Sequence, residues 1–188
     1  MTQPIHFTHA NGIPSASYQK FFQAFGAGYN VKAIPLIGMN AEFPVTYRWT
    51  HLVDQVIQDI QQQFPNQQVI GLGHSFGSLV TLMCAYKRPE LFSQVIMLDP
   101  PLIMGKDALA LHFAKTLKLK AVDAMSPAAL SLRRRDHWES REQAAALLRP
   151  KGFYQRFDPD CFQAYIDHAL TEDKARGGVE LTIPKMDE

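Results

Sequence analysis

The chain has 188 residues, 46% of them hydrophobic and 20% charged, with 19 basic against 18 acidic side chains and a net charge of +1. That balance suits one globular domain with a sizeable core. It gives no electrostatic reason to expect nucleic acid or another polyanion as a partner.

Cys84 and Cys161 lie far apart and form no metal or redox motif, so both are expected as buried thiols in a reducing, cytoplasmic setting. Neither a signal peptide nor a membrane span is expected, since no stretch approaches the ~18 consecutive apolar residues a span requires. In chain order, Ile5-His6-Phe7-Thr8 predicts a first strand, which runs into the turn-rich loop His9-Ala10-Asn11-Gly12-Ile13-Pro14. Tyr18, Phe21, Phe22 and Phe25 recur at helical spacing until Gly26 and Gly28 stop them. Asn30 to Leu36 reads as a second strand. Trp49, Leu52, Val53, Val56, Ile57, Ile60 and Phe64 then mark an amphipathic helix that ends at Pro65-Asn66.

The stretch Val69-Ile70-Gly71-Leu72-Gly73-His74-Ser75-Phe76-Gly77 is the most informative in the chain. An apolar strand enters a turn with small residues on both sides of a serine, and a helical pattern leaves it. Gly73-x-Ser75-x-Gly77 has the spacing of a nucleophile elbow. A serine on such a turn has a strained backbone, needs neighbours without bulk, and sits at a helix N-terminus that favours developing negative charge. The bare pattern would arise by chance in roughly one chain in twenty of this length; the flanking strand and helix make it specific. A dinucleotide fingerprint would need a third glycine where Phe76 stands, and no phosphate-loop lysine follows. Val95 to Leu98 reads as the next strand, closed by Asp99-Pro100-Pro101. This alternation predicts an α/β fold: a mostly parallel sheet with helices on both faces.

After Pro101 the pattern changes, with helical periodicity and no convincing strand from about Leu102 to Gly178. Ser126-Pro127, Ser140-x-x-Gln143 and Asp158-Pro159 mark helix starts. Arg133-Arg134-Arg135-Asp136 reads as a solvated or ion-paired helix face, Gly177-Gly178 as a hinge, and Val179 to Ile183 as a short strand or extended crossing. The expected organisation is a core over 1–101, an inserted helical lid over 102–178, and a return segment over 179–188. Phe113, Leu117, Trp138, Phe153, Tyr154 and Phe157 are candidates for the lid's apolar surface, more as packing residues than as substrate contacts.

These stretches together resemble the α/β-hydrolase superfamily, and within it a short bacterial group of hydrolases. The resemblance rests on Phe7-Thr8-His9-Ala10-Asn11-Gly12-Ile13-Pro14, Pro44 to Trp49, the elbow, Leu98-Asp99-Pro100-Pro101, and Arg133 to Glu142. Against that pattern the chain looks C-terminally truncated, because members carry two more strands and a catalytic histidine beyond the lid.

The resemblance implies Ser75 as nucleophile, with Phe76 N–H as one oxyanion donor and Ile13 N–H as the other. The alternative for Asn11-Gly12-Ile13 is a plain tight turn with Gly12 at positive φ. Asp99 is a candidate for the triad acid or a simple turn residue. His9, Asn11, Gly12, Gly73, His74 and Gly77 are supporting residues, while His112, His137 and His168 have no motif support as the base. Two functions follow: a serine hydrolase of a small carboxylic ester, thioester or amide that uses no metal or cofactor, or a catalytically impaired fragment that binds a ligand or partner. An open sheet edge would permit self-association.

Overall fold

The computed structural model describes residues 2–102 and 134–184. The expected helix start at Ser126-Pro127, and His112, Phe113, Leu117 and Arg133, lie outside the described residues.

Four strands form the core sheet: β1 (Gln3–Thr8), β2 (Tyr29–Ala33), β3 (Val69–His74) and β4 (Phe92–Leu98). Their order is β2-β1-β3-β4, and every neighbouring pair is parallel. β2 ends before Leu36, short of the expected limit. Ile34 N–H still reaches Phe7 O, but Pro35 has no N–H to continue the ladder.

Strand alternation sorts β1 onto two faces. Ile5 and Phe7, with Ile70 and Leu72 of β3, meet Tyr18, Phe21, Phe22 and Phe25. Those rings come from a 3-10 turn at Ser15–Tyr18, from α1 (Gln19–Gln23) and from the residues just after it. On the opposite face, His6 Nε2 donates to Asp59 Oδ2 (2.7 Å) on α2 (Thr50–Gln63), and Thr8 bonds Thr81 (3.0 Å) on α3 (Phe76–Lys87). The larger core lies here, where Leu52, Val53, Val56, Ile57 and Ile60 of α2 pack on Val80 and Cys84 of α3. Burial pushes the Cys84 thiol up to about 12. Cys161 is only partly buried, in contrast to the expectation that both thiols are enclosed.

The C-terminal unit comprises β5 (His137–Trp138), α4 (Arg141–Leu148), α5 (Gly152–Gln155), α6 (Pro159–His168), β6 (Leu170–Glu172) and β7 (Val179–Leu181). It is not purely helical as expected: its strands form an antiparallel sheet in the order β5-β7-β6. These strands are too short for period-two alternation to register in sequence. Gly177 (φ 73°) and Gly178 (φ 79°) turn a hairpin between β6 and β7 rather than forming a hinge. A Cβ on Gly178 would lie 2.2 Å from Trp138 O. The expected boundary at residue 178 therefore falls inside one hairpin.

Nor is Arg134-Arg135-Asp136 a helix face. It leads into β5, with Arg135 Nε donating to His137 O (2.7 Å) and Leu181 N–H donating to Asp136 O (3.1 Å). Ser140 accepts from Gln143 N–H at 3.2 Å, as a capping residue should, but the Gln143 side chain accepts from Glu139 N–H instead of returning to Ser140. Asp158 caps α6 and Pro159 opens it.

Trp138, Leu148, Tyr154, Phe162, Tyr165 and Ile166 form the core of this unit, and Ile13 from the loop after β1 packs against it. At the junction Lys20 donates to Asp158 (2.6 Å) and Asp160 (2.8 Å), while Gln19 meets His168 at 3.1 Å.

His9 braces the loops at the carboxyl end of the sheet. It is fully buried; Ile37 N–H donates to its Nε2 (3.0 Å), so the proton sits on Nδ1, which donates to Ala10 O (2.8 Å). Desolvation brings its pKa down to about 4 from an ordinary value near 6.5. A histidine depressed on folding contributes stability that is complete above the unfolded value and is lost as pH falls toward the folded one. Unfolding free energy from urea titrations should therefore drop by about 3 kcal/mol between pH 7 and pH 4 on account of His9. The His9 ring protons should not titrate above pH 5 by NMR, and a midpoint near 6.5 would refute this account.

Candidate active site

Ser75 joins β3 to α3 with φ 50° and ψ −121°, a conformation that non-glycine residues rarely adopt. The flanking glycines are steric necessities. A Cβ on Gly73 would come within 2.4 Å of Ser78 Cα, and one on Gly77 within 2.3 Å of both Thr8 O and His9 O. The same close approach brings the first turn of α3 against the end of β1, where the Asn11-Gly12-Ile13 loop begins. Ser75 N–H donates to Leu98 O (2.9 Å), so the elbow is also tied to the end of β4.

Asp99 follows that carbonyl immediately, is exposed, and has φ 46°. Arg48 (φ 69°) and Trp49 (φ 54°) lead into α2, and the Trp49 ring meets the Phe76 ring edge-on at 4.9 Å. Strained backbone thus gathers around the elbow. The other non-glycine residue at positive φ among the described residues is Asn66, in the turn before β3.

Phe76 N–H is the first amide of α3 and, like the first amide of any α-helix, has no intrahelical acceptor. Ile13 N–H differs from the expectation of an open donor: it donates to Ala10 O at 3.2 Å across a turn with Gly12 at φ 68°. That bond is at the long limit of its type. Asn11 is exposed at the turn tip.

His74 is half-buried, and its Nδ1 lies 2.8 Å from Tyr18 OH. The same hydroxyl accepts from Ala10 N–H at 3.2 Å. Desolvation lowers the His74 pKa, opposed by the negative charge of Asp99. Burial raises the Tyr18 pKa well above its usual range. The sequence pattern absorbed Tyr18 into an apolar helix stripe; the one hint of a further role is a hydroxyl on that stripe.

Three further histidines are engaged elsewhere. His137 Nε2 donates to Gly177 O (2.7 Å), His168 meets Gln19, and His6 holds Asp59. Among the described residues no histidine hydrogen-bonds Ser75, and no group of three His, Cys, Asp or Glu side chains could hold a metal ion. No helix among them is long and apolar enough to cross a membrane. The arrangement presents a partly exposed serine at a helix N-terminus, with Asp99 and the Gly12 turn at neighbouring strand ends.

The model of the alpha/beta hydrolase family matches residues 7–181. A type I acyl-CoA thioesterase, mpaH, of Penicillium brevicompactum is 27% identical over 86% of this chain and 38% of its own length. The abhydrolase domain-containing protein AFT2-1 of Alternaria alternata is 32% identical over 57% of this chain and 36% of its own length. Among solved structures, E-2-(acetamidomethylene)succinate hydrolase superposes with a TM-score of 0.70 at 17% identity, covering 100% of this chain and 63% of that one. The thioesterase domain from the curacin biosynthetic pathway gives 0.65 at 18% identity, covering 96% and 63%. The chain therefore spans well under half the length of those curated relatives and about three fifths of the solved chains. The parallel sheet, the elbow and a family match running almost from end to end agree: this chain belongs to the alpha/beta hydrolase family.

Proposed function

We propose that this chain carries the nucleophile of a serine hydrolase that cleaves a small carboxylic ester, thioester or amide through an acyl-enzyme on Ser75. The observation behind this reading is the Ser75 backbone, held at φ 50° and ψ −121° between two positions that exclude a Cβ. The relative described as an acyl-CoA thioesterase favours a thioester among these substrates.

In this mechanism Ser75 Oγ attacks the carbonyl carbon and passes its proton to a general base. The tetrahedral oxyanion is held by Phe76 N–H and by Ile13 N–H, which gives up its long bond to Ala10 O in exchange. The carbonyl re-forms as the alcohol, thiol or amine leaves with a proton, and water then releases the acid. Asp99 acts as the triad acid that orients the base. Two unpaired cysteines support a reducing compartment such as the cytoplasm.

A fluorophosphonate probe should label the chain on Ser75, and Ser75→Ala should abolish both labelling and any nitrophenyl-ester burst. A properly folded chain that takes no label would instead favour the ligand-binding reading. Asp99→Asn should slow labelling by about 10²–10⁴-fold with little change in unfolding midpoint; an unchanged rate would reduce Asp99 to a turn residue.

The outer edge of β4 has no strand partner among the described residues, and Phe92–Leu98 carries no charged side chain. Both features support association through that edge. Sedimentation should show concentration-dependent dimers that Ile96→Lys disperses; a strictly monomeric chain would exclude this.

A further inference from the structure

The loop after β1 and the elbow after β3 must keep a fixed separation if their N–H groups are to bind one oxyanion. Backbone pairing between the strands stops at Thr8 and Gly73, before either segment begins. Beyond that point the Tyr18 side chain spans the two. Tyr18 OH accepts from Ala10 N–H (3.2 Å), in the loop, and lies 2.8 Å from His74 Nδ1, beside Ser75.

A phenol hydroxyl has a single proton to give. With Ala10 N–H already donating to it, the acceptor within reach is His74 Nδ1. That assignment leaves the His74 proton on Nε2. Around this bridge Tyr18 is clamped by aromatic rings: Phe7 at 4.8 Å, Phe22 at 6.3 Å and His74 itself, edge-on at 5.7 Å. The hydroxyl therefore cannot shift without repacking the face of the sheet that those rings cover.

We propose that Tyr18 is a positioning residue, whose hydroxyl fixes the oxyanion loop to the elbow and holds His74 in its Nε2–H tautomer. Its effect on chemistry rests on the reading of Ser75 as nucleophile; the bridge and the tautomer do not. The charged or titratable groups acting on the His74 ring are Tyr18, through the hydrogen bond, and Asp99, through its charge. A donor to neutral Nδ1 opposes protonation, so removing the hydroxyl makes His74 easier to protonate.

The test has two arms, both on the full chain with Tyr18→Phe, which keeps the ring and its packing. In the first, nitrogen-15 NMR of His74 should show a bare, hydrogen-bonded Nδ1 and a protonated Nε2. Tyr18→Phe should raise the His74 titration midpoint by about half to one pH unit. An Nδ1–H tautomer, or an unmoved midpoint, overturns the proposal.

In the second arm, fluorophosphonate labelling of Ser75 should slow about tenfold in Tyr18→Phe, with probe affinity within twofold. Equal rates overturn the positioning role while leaving the hydrolase reading intact. Wild-type protein that takes no label overturns the hydrolase reading and leaves Tyr18 to be decided by the first arm. If Tyr18→Phe does not fold, His74→Leu and His74→Asn replace it. The asparagine retains an acceptor near the Nδ1 position, so Ala10 N–H exchange should stay slow in Asn and quicken in Leu. Equal exchange in the two variants overturns the bridge.

Discussion

Everything at the carboxyl end of the sheet depends on how closely the first turn of α3 approaches the end of β1. At Gly77 the carbonyl oxygens of Thr8 and His9 stand where a side chain would begin. No other residue type fits there without moving the helix or the strand. The contact directs α3 at the loop that follows β1 and leaves Ser75 in a backbone conformation that only its surroundings maintain. Gly73 makes the same demand from the other side, against Ser78. The Gly73-x-Ser75-x-Gly77 motif is thus a packing constraint before it is a chemical one.

The elbow, the parallel alternation and the two-faced core were legible because each leaves a periodic or steric mark on the sequence. Val69 to Gly77 combines an apolar run with obligatory small residues, and the α2 stripe from Leu52 to Ile60 repeats at helical spacing. The C-terminal unit departs from its sequence pattern where its signals are short. β5 is two residues long, and its partner β7 is reached through a glycine pair whose purpose emerges only once Trp138 O is seen against Gly178. The arginine run reads as a helix face because charge is compatible with any exposed backbone; pairing of Asp136 O with Leu181 N–H decides otherwise.

At the site, residue types were legible and partners were not. His9 and His74 stand in recognisable motifs, yet their hydrogen bonds go to Ile37 N–H and Tyr18 OH, 28 and 56 positions away in the chain. Long-range partners of this kind leave no local spacing to read. The expectation for Ile13 was limited in the same way: the sequence reveals a turn, but whether its N–H is open depends on where Ala10 O points.

The segment from Ser15 to Phe25 faces two ways. Its rings cover one side of the sheet, while Gln19 and Lys20 receive α6 of the C-terminal unit through exposed polar contacts that contribute little energy. At this seam Ile13, from the loop after β1, is the apolar side chain that packs against the C-terminal core. The seam therefore behaves as a graft boundary. A different C-terminal unit could be joined here, bringing its own pocket walls, provided it offers a socket for Ile13; repacking of that socket would be felt first in the turn that Ile13 N–H closes on Ala10 O.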